Sequence, residues 1–178
     1  MSTKRSKIKV FDIFAKALNL LEEQDRNLYG WQRNRIAISH ALAQHLHDLL
    51  QPSENSFSVD LCPILYKTSK ILNPDILVHN RETENQILSV VCRNDYLTEQ
   101  EQLELIQLRA NSKCELVLGL SFLTQKNYML IYVTHEDRIE YYHFDRNSLT
   151  IQPFKQRAIA SETESKDQLT LDKLLRRR

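Results

Sequence analysis

Glycine is almost missing from this chain. Gly30 and Gly119 are the only two in 178 residues. A phosphate loop of the Walker or dinucleotide-binding kind needs several glycines at fixed spacing, so both are excluded. Charge of one sign is not in excess either, because the formal net charge is +1. No global field draws the molecule to nucleic acid or to an anionic membrane. Cysteine is sparse and unpaired. Cys62, Cys92 and Cys114 are far apart with no CxxC spacing, which excludes a cysteine-built zinc site. Their odd number, with no apolar leader in residues 1–10, fits a reducing compartment, and the expected location is cytoplasmic. No apolar run approaches the roughly 18 residues of a membrane span, so no membrane partner is expected.

Apolar residues make up 42% and charged residues 26% of the chain, an ordinary globular balance. The length suits one domain. The expected division is a basic tail over 1–10, a single α/β domain over 11–154, and a polar tail or partner-dependent helix over 155–178. Phe11, Phe14, Ala15, Leu18 and Leu21 recur with helical period over Phe11–Glu23. Ile38, Leu42, Leu46 and Leu49 do so over Trp31–Leu50. From Phe57 the period becomes two, predicting a strand over Phe57–Leu65 that Pro63 disturbs. Asp75–His79 reads as a short strand. Ile87–Cys92 is a continuous apolar run, the pattern of a strand buried on both faces.

Thr98 and Glu101 form a capping box for a helix of about Glu99–Ala110, with Leu103, Ile106 and Leu108 as its expected buried residues. Strands are then expected at Leu116–Leu123, Tyr128–Thr134 and Arg138–Phe144, with a last edge at Leu149–Phe154. A crossover helix between buried strands requires a mixed sheet with a right-handed βαβ unit. The expected class is α/β, a mixed central sheet flanked by helices.

Several chemistry-bearing residues have a plain structural reading. His40, His45 and His47 do not share the i, i+4 spacing that stacks two rings on one helix face. His79, at the end of the Asp75–His79 strand, is read as structural, and His135 and His143, flanking an expected hairpin, have no evident partner. Cys62 and Cys92 are expected on adjacent or nearby strands and are read as small buried filler. Of Tyr141 and Tyr142, one must point outward, where it suits base stacking or an interface.

Residues 57–123 resemble the core of the PD-(D/E)xK, or restriction-endonuclease-like, nucleases. The resemblance rests on Pro74-Asp75 opening a strand, a polar turn, the strand Ile87–Arg93, and then a helix and an apolar strand. Order and spacing agree over roughly residues 31–134. In that family clustered carboxylates hold Mg²⁺, a hard cation that takes oxygen ligands, and the ion stabilises developing charge and helps activate water. Carried over residue by residue, the resemblance puts the PD aspartate at Asp75, the (D/E) position at Val91 and the lysine at Arg93. Arg93 keeps the charge but cannot serve as a base. The helix and first-strand glutamates fall on Arg35 and Cys62.

The resemblance therefore implies a degenerate member with one acid left. No catalytic residue, metal or cofactor is expected, and the chain is read as a non-enzymatic binding module for a protein or nucleic-acid partner. A protein partner or a second copy is favoured by the neutral charge. Arg33, Arg35, Lys67, Lys70 and Arg93 are the candidates for holding phosphate. Two alternatives remain. One is a divergent Mg²⁺-dependent DNA or RNA endonuclease joining Asp75 to relocated carboxylates, Asp60 and Glu104, with Glu101 nearby. The other is a structural or dimerising subunit.

Overall fold

The computed structural model describes residues 3–30, 34–51, 57–63, 72–81, 85–136 and 138–154, with side chains from Lys9 onward. The expectations at Arg33, Lys67, Lys70, Ile64–Leu65 and 155–178 lie outside the described residues.

Chain order gives helix α1 (Thr3–Gln24), a 3₁₀ turn (Arg26–Gly30), helix α2 (Arg35–Leu50), and strands β1 (Phe57–Leu61), β2 (Ile76–Asn80) and β3 (Asn85–Arg93). Helix α3 (Glu99–Asn111) follows, then β4 (Leu116–Ser121), β5 (Tyr128–Thr134), β6 (Ile139–Asp145) and β7 (Thr150–Pro153). The seven strands form one sheet whose spatial order is the sequence order. Every neighbouring pair is antiparallel except β3 with β4, where Leu88 stands beside Leu116 and Arg93 beside Ser121. That parallel pair requires the α3 crossover. The α/β class and the mixed sheet read from the sequence are what the structure has.

Strand alternation divides the core into two layers. On one side Ile76, Val78, Leu88, Val90, Cys92, Leu118, Leu120 and Ile131 pack under α1 and α2, which contribute Phe14, Leu18, Leu21, Ile38, Leu42 and Leu46. On the other side Val91, Val117, Leu130 and Tyr132 pack under Leu105 and Leu108 of α3. Burial of each such leucine stabilises by roughly 1.5–3 kcal/mol. Gly119 lies where α3 presses closest. A Cβ there would sit 3.1 Å from Cδ2 of both Leu105 and Leu97 and 3.2 Å from Cβ of Tyr132.

Some details differ from the sequence reading. Helix α1 begins at Thr3, ahead of the Phe11 where the apolar period starts, so the backbone of residues 3–10 is helical rather than a tail. Its buried stripe carries Ala17 in place of Ala15. Leu105 is buried in α3, whereas Leu103 is 56% exposed. Glu101 sets this phase, because the capping box and an arginine on β3 hold it against the sheet end. Residues one and two turns on, Leu105 and Leu108, therefore face inward. Among the described residues no helix is long and apolar enough to cross a membrane.

Candidate functional site

The C-terminal end of β3, the residue preceding β2 and the first residue of α2 meet at one corner of the sheet. Asp75 sits there, 8% exposed. Its backbone is stitched on both sides. The amide donates to Val90 O at 2.8 Å, and the carbonyl accepts from Cys62 N at 2.8 Å.

The Asp75 carboxylate is fully engaged. Oδ2 accepts the Cys92 amide at 2.7 Å and lies 3.5 Å from Nη1 of Arg93. Oδ1 lies 3.4 Å from Nη1 of Arg35. Arg35 opens α2, and Arg93 closes β3. Arg93 is itself anchored, donating from Nη1 to Cys92 O at 2.7 Å and from Nε to Glu101 Oε1 at 2.5 Å. The other oxygen of Glu101 accepts the Thr98 amide at 2.9 Å and the Thr98 hydroxyl at 3.0 Å. Burial works against ionisation of Glu101, but the bonds from Arg93 and Thr98 outweigh it and hold its carboxyl below the usual range. Two guanidiniums thus face two carboxylates in a continuous chain from α2 through Asp75 and Arg93 to the start of α3.

The remaining sequence candidates divide clearly. Val91 is fully buried in the α3-side core and offers only methyl groups. Asp60, on β1, bonds His79 Nε2 at 2.8 Å and Arg81 Nη2 at 2.9 Å. Burial raises its pKa, but those two partners outweigh it, and the net direction is down. Glu104 accepts from Gln100 Nε2 at 2.8 Å on the outer side of α3. Each of the acids proposed for a relocated cation site is therefore satisfied by a different neighbour. Among the described residues no group of three or more His, Cys, Asp or Glu is placed to hold a metal ion.

Cys62 corrects the sequence reading. It is exposed rather than buried, because β1 ends at Leu61 and the backbone turns at Cys62 with φ +47°. Cys62 just past β1 and Cys92 on β3 stand at nearby strands, with β2 between β1 and β3. Cys92 is the buried filler expected. Burial first, then the Asp75 charge, pushes its thiol up to about 12, so it stays protonated and unreactive.

Neither of the tyrosines Tyr141 and Tyr142 stands fully outward. Tyr141 packs edge-on to Tyr132 at 5.5 Å on the α3 side, and Tyr142 meets Phe11 at 5.9 Å on the α1 side. His45 is buried against Asp25 at 2.7 Å, a contact that the histidine spacing alone did not suggest.

The pairing of Arg93 with Glu101 joins two residues that no sequence spacing couples. Its sequence signal is instead the short loop joining β3 to α3. No protein-family model and no curated protein matches this chain.

Proposed function

We propose that this chain is a metal-independent binding module on a frame of the PD-(D/E)xK kind. Its cation position is filled by arginine, and its partner is a protein. The observation that carries the reading is the state of Asp75: each carboxylate oxygen already has a cationic partner, and one also takes a backbone amide. A hard divalent ion would have to displace two guanidiniums and then find further oxygens where Val91 and Arg93 stand. The chain order supports the same frame: a helix, three antiparallel strands, a crossover helix and a parallel fourth strand.

Charge balance favours a protein over a nucleic acid. Arg35 and Arg93 are matched by Asp75 and Glu101, so a phosphate would compete with carboxylates already in place. Phosphate-driven affinity needs unneutralised cations and falls steeply with salt.

The test is a cutting assay with duplex and single-stranded DNA and RNA in Mg²⁺ and in Mn²⁺, using the full chain and Asp75→Asn. No cleavage by either protein is expected. Cleavage by the unaltered chain that disappears in Asp75→Asn sinks the proposal and restores a divergent nuclease. Anisotropy titration of the same nucleic acids covers the partner class. Saturable binding that weakens steeply with salt and is lost in Arg35→Ala would transfer the site from a protein to a nucleic-acid partner.

A further inference from the structure

Among the described residues, α3 is the one helix on its side of the sheet, and it packs against β4 and β5. The outer strands on that side are left half-covered. Ile139 and Tyr141 of β6 and Phe154 just past β7 are partly buried against the α3 core. Between them and the helix runs a groove of about 290 Å³ lined by Glu99, Gln102, Leu103, Ile106, Ile139 and Tyr141. Its floor is tied by the Tyr141 hydroxyl, which donates to Gln102 Oε1 at 2.7 Å. Its wall carries Leu103, 56% exposed. A leucine that open, set beside Ile106 and Ile139, forms a continuous apolar strip of the kind that another segment covers.

The chain itself leads to this groove. Strand β7 runs antiparallel to β6 with Pro153 beside Tyr142, and the Phe154 amide donates to Tyr141 O at 2.7 Å. The chain therefore leaves the sheet beside Tyr141, which lines the groove. Beyond lie Leu169, Leu171, Leu174 and Leu175, followed by Arg176, Arg177 and Arg178. Leu171, Leu174 and Leu175 have the i, i+3, i+4 spacing that puts three side chains on one helical face. Residues 155–168, at roughly 3.3 Å each when extended, reach well past the approximately 10 Å breadth of one helix. A segment tethered at the groove's edge also meets it at an effective concentration on the order of millimolar. Glu99 at the rim complements the arginines.

We infer that the α3–β6 groove is the docking site of this chain's own leucine segment, residues 169–175. The inference is independent of the nuclease-like reading.

Disulfide trapping in the full chain tests it. Leu103→Cys is combined in turn with Leu171→Cys, Leu174→Cys and Leu175→Cys, all in a Cys62→Ser background, because Cys62 is the exposed native thiol. Asp48→Cys, on exposed α2 at the opposite side of the sheet, replaces Leu103→Cys as the control. Leu103 is exposed, so its substitution leaves the core intact. Expected is an intrachain disulfide with at least one of the three positions, formed at least about tenfold faster than with the Asp48 control. Equal rates, or no disulfide at any position, overturn the inference. A disulfide that forms only between chains, faster at higher protein concentration, also overturns it and gives the groove to a second copy.

Discussion

At the scale of single residues, the corner around Asp75 is held by charge pairs whose parts depend on each other. Glu101 serves twice, closing the capping box of α3 and anchoring Arg93. Its folded carboxyl titrates below its usual range. A depressed acid contributes stability that is fully present above the unfolded pKa, about 4.3 for glutamate, and that is lost as pH falls through the lower folded value. Glu101→Gln is therefore expected to be less stable than the parent at pH 7. Its denaturant midpoint should change less between pH 5 and pH 2, in the ranges where that carboxyl titrates. Parallel curves for the two proteins across this window would show that Glu101 carries no such linkage.

Asp75 is the more exacting position. Asp75→Ala leaves Arg93 facing only Glu101 and the Cys92 amide without its acceptor, an expected loss of about 3 kcal/mol. Asp75→Asn keeps the amide's acceptor and should lose less. Chemical denaturation distinguishes them, and equal losses would mean that the amide bond contributes nothing.

At the scale of elements, α3 is positioned by its ends and by the absence of a side chain under it. Gly119 admits Leu105 and Leu97 at 3.1 Å from where a Cβ would be. Gly119→Ala forces those leucine tips to shift and is expected to cost about 1–2 kcal/mol. Gly119→Val should cost more, because added volume in a packed core strains its neighbours. Thermal denaturation of the pair reads this directly, and an unchanged midpoint in both would refute the close packing.

Most elements were legible in the sequence, because a change of apolar period from helical to alternating falls at real boundaries. The buried run Ile87–Cys92 and the capping box Thr98–Glu101 are local signals, and the structure has both. Helix phase was harder. Leu103 and Leu105 are equally apolar, and it is Leu105, one turn after the anchored Glu101, that faces the sheet. Cys62 illustrates a second limit, since one residue beyond a strand end the alternation no longer says which side is inside.

Contacts between distant charges were not legible at all. Arg146 is 5% exposed, lies 3.7 Å from Glu22 and 4.1 Å over the ring of Tyr29, and donates to the Phe122 carbonyl. Nothing in residues that far apart announces such a cluster.

At the scale of the whole molecule, the two layers meet on β3, β4 and β5, whose residues are buried almost throughout. Native-state hydrogen exchange is expected to be slowest in these three strands and faster in β1 and β7, the edges of the sheet. Uniform protection across all seven would contradict a centre of that kind. The sheet's spatial order also has a consequence for how the chain is made. Each strand lies beside the one synthesised immediately before it, so a nascent chain extends its sheet by adding at one growing edge. β4 too lies beside β3, but as its parallel partner, so α3 must cross the sheet before that strand can add. Ribosome-bound chains ending between those strands should hold β1–β3 only loosely, and compaction should set in abruptly once β4 has left the exit tunnel.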